Sequence, residues 1–225
     1  MIAHDMRTPL NALTLSVTNA KKAADSESLK ATLEIIERNT QALASIVNAL
    51  LEVDATGTGR LTLEECLPSD LVKGAVDQIT PMMEQKHLRI ESGNLISLPP
   101  IVADCTRIVR VLANLLSNAI RFSPEGGCIR VDAHPRVNDG YPVLVFSVSD
   151  DGPGVPPETI DRIFLQGVSL SHEGKASTGL GLTVCKELVE AHGGRIWVET
   201  GHTTGATFSF SVPTKTLTKA EHPSS

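Results

Sequence analysis

Two glycine-rich stretches of the 225-residue chain carry residues suited to polar chemistry: Asp150-Asp151-Gly152-Pro153-Gly154, after a β-type run ending at Ser149, and Ser177-Thr178-Gly179-Leu180-Gly181-Leu182, opening a helical pattern. A carboxylate delivered to a glycine turn can accept a hydrogen bond from an exocyclic amine, as on adenine, while Gly152 and Gly154 let a ring or sugar approach the backbone. The second glycine pair puts free backbone N–H groups at a helix N-terminus, where anions bind. Each motif alone is also compatible with an ordinary loop. The commoner phosphate loops fail: Gly174-Lys175 has Ser169 in place of the first Walker glycine and Ala176 in place of the hydroxyl, and Val184 replaces the third glycine of a dinucleotide loop.

The helical stretch from Asp104 to Phe122 adds a geometric argument. At about 100° per residue, Ile108, Leu112, Leu115 and Ala119 form one apolar stripe. Asn114, Asn118 and Arg121 fall together on another face with Arg107 and Arg110. A solvated face is the plain reading, yet two asparagines in mid-helix are poor formers that need a reason. A carboxamide oxygen is a hard ligand for Mg2+, which borrows phosphate oxygens and water for the rest of its shell. Arg121 can then meet the phosphates. In His4-Asp5-Met6-Arg7-Thr8-Pro9-Leu10 an acid adjoins an imidazole, Thr8 sits one helical turn on, and Pro9 bends the helix just beyond. An acid that accepts the Nδ1 proton leaves Nε2 as a nucleophile.

These residues must be held by two unlike halves. From Met1 to Asp54 there is no glycine, and apolar residues recur at helical spacing: Leu10, Leu13, Val17, then Leu29, Leu33, Ile36, Leu43, Val47 and Leu50. Two antiparallel helices broken at residues 24–28 are expected. They bury too little alone and imply a homodimer through a four-helix bundle. Residues 55–60 read as a hinge and 214–225 as a frayed tail. Between 61 and 213, β-type runs (61–67, 88–91, 128–133, 143–149, 195–199, 206–212) alternate with helical stretches (69–86, 104–122, 157–164, 179–192). The pattern predicts an α/β sandwich with a mixed sheet and helices on one face.

Composition sets outer limits. Twenty Lys+Arg against 26 Asp+Glu give a net charge of −6. An acidic chain with 3% aromatics argues against a nucleic-acid surface. No apolar run approaches the roughly 20 residues of a membrane span, so no membrane contact by this segment is expected. Cys66, Cys105, Cys128 and Cys185 contain no Cys-x-x-Cys pair and read as reduced core thiols of a cytosolic protein.

In its motifs the chain resembles the catalytic core of a bacterial-type sensor histidine kinase, a dimerization and histidine-phosphotransfer hairpin followed by a Bergerat-fold ATPase domain. The resemblance covers about residues 1–213, with the H-box at 4–10, the N-box at 114–122, the G1 box at 150–154, an F-box-like stretch at 160–164 and the G2 box at 179–182, all in family order. It implies domains at 1–54 and 61–213 joined by a 55–60 linker. It further implies that His4 takes the γ-phosphoryl group of ATP, that Asp5 is the adjacent acid, and that Asn118 holds Mg2+. Asp150 would contact the adenine amine and Phe122 would lie against the base. Asn114, Arg121, Gly152, Gly154, Thr178, Gly179, Leu180, Gly181 and Leu182 would complete the nucleotide site. Residues 165–178 would form a lid whose Lys175 reaches the phosphates. The implied partner is the receiver domain of a response regulator, and Thr8 is the position associated with phosphatase activity toward it. The implied location is cytoplasmic, as part of a larger sensor that is either membrane-bound or soluble. Asp5 stands where glutamate is commoner and Arg121 where lysine is. The competing readings are a phosphotransfer scaffold without ATP turnover and an ATP-driven clamp without a phosphohistidine; the intact glycine boxes weigh against the first and the H-box against the second.

Overall fold

The computed structural model describes residues 12–20, 28, 32–33, 35–36, 40, 60–138, 140–165, 181–200 and 205–214. Residues 12–40 among these lie in one compact unit, and 60–165 with 182–214 in another. In the first, all described residues are helical. Thr18, Thr32 and Thr40 donate their hydroxyls to the carbonyls of Thr14, Ser28 and Ile36, one turn back. Leu15, Val17, Leu33 and Ile35 are exposed. The expected break at 24–28 and hinge at 55–60 lie outside the described residues, apart from Ser28 and Arg60.

The second unit runs β1 (Glu64–Cys66), α1 (Pro68–Gln85), β2 (Arg89–Ser92), β3 (Ile101–Ala103), α2 (Cys105–Phe122), β4 (Cys128–Asn138), β5 (Tyr141–Ser149), a single 3-10 turn (Pro157–Thr159), α3 (Gly181–Ala191), β6 (Ile196–Thr200) and β7 (Ala206–Pro213). The main sheet has the order β2-β4-β5-β7-β6, with β2 parallel to β4 and every other pairing antiparallel. This is the expected mixed sheet of an α/β sandwich. Helix α2 crosses β4 and β5 and packs beside α1. Its stripe is buried as the helical period requires: Ile108, Val111, Leu112, Leu115, Leu116, Ala119 and Ile120. Phe146 and Phe210, stacked with centroids 5.1 Å apart on β5 and β7, fill the centre.

Three local features depart from the expectation. β4 runs on to Asn138 through Pro135, because β2 covers β4 only as far as Val131; beyond it the outer edge of β4 is open and a missing N–H costs nothing there. The stretch 157–164 forms one 3-10 turn and further turns rather than a helix, with Ile160 N–H reaching only back to Pro157 O. The third concerns the cysteines. Cys66 and Cys105 form a disulfide, against the reading of all four as reduced thiols, while Cys128 and Cys185 are buried and free. The cause is the antiparallel pairing of β1 with the short strand β3, which puts Cys66 opposite Ile101 and so brings the first residue of α2 to a Cα–Cα distance of 5.7 Å.

Candidate functional site

Strand β5 ends at Ser149, and Asp150 N–H donates to Ala206 O at 3.0 Å, so the acid is fixed where β5 and β7 begin to part. Its side chain is buried. Oδ1 accepts from Gly152 N at 2.8 Å and from Ala206 N at 3.4 Å, and Oδ2 has no hydrogen bond among the described residues. Burial pushes the carboxyl above its usual range; the two backbone N–H groups pull against it, and neighbouring Asp151 adds to the rise. The adjacent acid points elsewhere. Asp151 Oδ2 accepts from Cys128 N at 3.1 Å and Oδ1 lies 3.6 Å from Arg130, so it ties the turn to β4.

The glycines of this turn answer to space. A Cβ on Gly152 would stand 2.7 Å from Asp150 Oδ1 and 2.9 Å from Phe122 O, so only glycine lets the turn close against the end of α2. Gly154 (φ +80°) faces Gly205 O, and Gly205 (φ +87°) is so close to Asp150 O that a side chain has no room. Gly205 is a member of this cradle that the sequence reading did not pick out. Its signal is modest, a glycine directly before the last strand.

Helix α2 supplies the opposing wall. Its start is fixed by Asp104, whose Oδ1 accepts from Arg107 N at 3.1 Å and whose Oδ2 meets the Arg107 guanidinium at 3.2 Å. Arg107 thus serves the helix start. Asn114, Asn118, Arg121 and Phe122 are all half-buried, which removes the reading of a merely solvated face. On α3 the buried thiol of Cys185 donates to Val111 O at 3.8 Å, and its pKa is pushed up to about 12 chiefly by desolvation, which the nearby Asn114 side chain opposes. Arg121 is the informative member. Burial lowers its pKa yet leaves the guanidinium charged, and its Nη1 is buried with no hydrogen-bond partner among the described residues. A buried cationic N–H without an acceptor is costly and calls for an anion. Ser123 Oγ, two residues on, is also buried and unbonded among the described residues.

The structure therefore brings Asp150, Gly152, Gly154 and the end of α2 at Phe122 into one cradle. Gly181 and Leu182 stand at the start of α3, half-buried. His4, Asp5, Thr8, Lys175, Thr178, Gly179 and Leu180 lie outside the described residues, as does the lid expected at 165–178 beyond Leu165.

Comparison with known proteins bears on this arrangement. Residues 1–58 match the His Kinase A (phospho-acceptor) domain, and residues 103–216 match the histidine kinase-, DNA gyrase B- and HSP90-like ATPase family. The adaptive-response sensory kinase SasA of Synechococcus sp. (strain CC9311) is 35% identical over 217 residues, covering 95% of this chain and 55% of that protein. The chain thus spans about half the length of this relative. Among solved structures, histidine kinase ThkA in complex with response regulator protein TrrA shares 26% identity with a TM-score of 0.71, over 95% of this chain and 60% of that one. Full-length ShkA in complex with AMPPNP shares 29% identity with a TM-score of 0.65, over 95% of this chain and 44% of that one. With the acid, the glycine cradle and the helix wall within the matched segment, the chain belongs to the histidine kinase-, DNA gyrase B- and HSP90-like ATPase family and is a sensor histidine kinase catalytic core.

Proposed function

We propose that this chain binds ATP between the 150–154 turn and α2, transfers the γ-phosphoryl group to His4, and passes it on to an aspartate of a response regulator receiver domain. The observation that carries the reading is Asp150: one oxygen of a buried carboxylate is engaged by two backbone N–H groups, and the other is left for a donor such as the adenine amine. Arg121 supports the other end of the ligand, since its unsatisfied buried nitrogen suits a phosphate oxygen. Phe122 adjoins the turn and offers its ring to the base. Gly152 and Gly154 let the turn pack tightly against Phe122 and Gly205 and so shape the cradle, while Gly179, Leu180, Gly181 and Leu182, with Thr178, carry the backbone into α3, where N–H groups favour phosphate. Asn114 lies one turn on from Val111, whose carbonyl accepts from Cys185 Sγ at 3.8 Å where α2 meets α3.

Asn118 fits a hard cation, because its carboxamide oxygen shares the half-buried face of Arg121 and is neutral, which suits a metal whose charge the phosphates balance. Bound there, Mg2+ supplies charge neutralisation at the transferring phosphoryl group. His4 presents Nε2 for in-line attack, the bond from the γ-phosphorus to the ADP oxygen breaks, and Asp5 holds the Nδ1 proton. Lys175 approaches the phosphates from a lid at 165–178. Thr8, one turn from His4, orients water toward a phosphorylated regulator, adding a phosphatase step.

The domain boundaries 1–54, 55–60, 61–213 and 214–225 accord with this division of labour. The exposed Leu15, Val17, Leu33 and Ile35 support a homodimer through the helical half. The proposed site of action is the cytoplasm; no helix among the described residues is long and apolar enough to cross a membrane. The deciding experiment is incubation with γ-labelled ATP and Mg2+ followed by acid and base treatment of the labelled protein. Label on the protein that is lost in acid and kept in base supports the reading. No label favours a scaffold, and ADP release without label favours a clamp.

A further inference from the structure

Lys86 follows α1 and stands, half-buried, under the last turn of α2. Its Nζ donates to Ile120 O at 2.7 Å, Arg121 O at 3.0 Å and Ser123 O at 3.0 Å. A helix ends with four carbonyls that lack intrahelical partners and carry the negative end of its dipole. An ammonium group has three donors, and here all three carbonyls are residues of that end or its cap. The backbone of Lys86 is engaged too, since Lys86 O accepts from Gly126 N at 3.1 Å. The carbonyl left out of this grip, Phe122 O, lies 2.9 Å from where a Cβ on Gly152 would be. Lys86 through residues 120, 121 and 123, and the glycine turn through Phe122, therefore meet on the same end of α2. That end carries the Arg121 guanidinium and the Phe122 ring.

We propose that Lys86 is a positioning residue for the nucleotide site: by clamping the carbonyls of 120, 121 and 123 it sets the direction of Arg121 and Phe122 and keeps the end of α2 closed against the turn that bears Asp150. Lys86 acts through these residues and is not a catalytic group. The inference rests on the ATP reading above and deepens it. A lysine that only capped the helix would contribute to stability alone. A clamp that sets side-chain direction must also change nucleotide affinity, because a misdirected Arg121 loses a hydrogen bond between charged groups, a loss of roughly 10-fold or more in affinity.

The test compares wild type, Lys86→Met, Lys86→Gln and Lys73→Met, the last removing a surface charge from α1 that, among the described residues, pairs only with exposed Asp77. Each is titrated with a fluorescent ATP analogue well below its own melting temperature. Lys86→Met is expected to bind roughly 10-fold or more weakly, with Lys86→Gln intermediate because its amide can still donate to two carbonyls, and with Lys73→Met equal to wild type. Should Lys86→Met not stay folded, Lys86→Gln is read on the same scale. Melting temperatures that fall while affinity stays at the wild-type value overturn the proposal and leave Lys86 as a cap. Wild-type protein that fails to bind the analogue overturns the ATP reading and this inference with it, a result distinct from the first.

Discussion

Asp150→Asn should separate binding from stability, and the structure says in which direction each moves. Oδ1 of Asp150 accepts from two backbone N–H groups, Gly152 at 2.8 Å and Ala206 at 3.4 Å. In the variant these donors still need an acceptor, so the amide oxygen takes that place and its NH2 takes the place of Oδ2. A donor then faces the donor of the adenine amine. Loss of a hydrogen bond to a charged acceptor costs about 1.5–3 kcal/mol, equivalent to roughly 10–150-fold in ATP affinity. Without nucleotide the balance reverses. Burial raises the carboxyl above its ordinary value of 3.8, so ionised Asp150 opposes folding. That penalty is absent below the unfolded pKa and grows as the pH rises through the higher folded one. Asparagine carries no such penalty. The melting temperature of the variant, taken relative to wild type, should therefore rise from acid toward neutral pH while ATP affinity falls. Fluorescent-analogue titration and thermal melts from about pH 4 to 8 provide both readings. Unchanged affinity refutes the adenine contact. A variant that melts below wild type at neutral pH shows instead that the carboxylate charge holds the turn.

Three further outcomes follow from the proposed chemistry and from the cysteine pair. His4→Gln should abolish acid-labile phosphorylation with no change in ATP affinity, because the nucleophile and the nucleotide residues fall in separate family matches, 1–58 and 103–216; loss of ATP binding contradicts that separation. Asn118→Ala should weaken Mg2+ dependence by at least the roughly 10–100-fold typical of outer-sphere partners of a metal, read as the Mg2+ concentration for half-maximal phosphorylation, and an unchanged midpoint assigns the metal to another residue. Reduction of Cys66–Cys105, which spans 39 residues, removes at most about 4 kcal/mol by chain entropy and should lower the melting temperature by roughly 5–15 °C. Identical melts with and without dithiothreitol, or in Cys66→Ser, refute a stabilising bond.

The elements that face the core were legible because burial imposes a period. Ile108, Leu112, Leu115 and Ala119 follow the helical repeat, and each is buried in α2. The runs at 143–149 and 206–212 became β5 and β7 for the same reason. β3 was not legible: three residues, Ile101–Ala103, are too few to show a period, and their partner β1 lies some 37 positions away in the chain. The disulfide inherits that difficulty, since nothing in a spacing of 39 shows that two short strands will pair. Pro135 concealed the outer half of β4, because a proline reads as a strand end unless one knows that the strand edge is open there.

The site divides along the same line. Its ligand-facing members were readable as types, an acid and glycines in a turn, carboxamides and a guanidinium on one helical face. What fixes them is non-local. At the start of α2, Asp104 Oδ2 accepts from Thr62 N at 3.2 Å, and Asp104 N donates to His192 Nε2 at 3.1 Å. That bond places the ring proton on Nδ1, which meets Leu188 O at 2.7 Å. At the other end Lys86 holds three carbonyls from 34 to 37 residues away. A histidine, a lysine and a threonine backbone have no periodicity that announces such duties, since each acts once in the chain, through contacts that exist only after the chain has folded. The helix that carries Asn114, Asn118 and Arg121 is thus anchored at both ends by residues outside every nucleotide motif. A substitution at Lys86 or His192 can therefore disturb the site while leaving each motif residue in place.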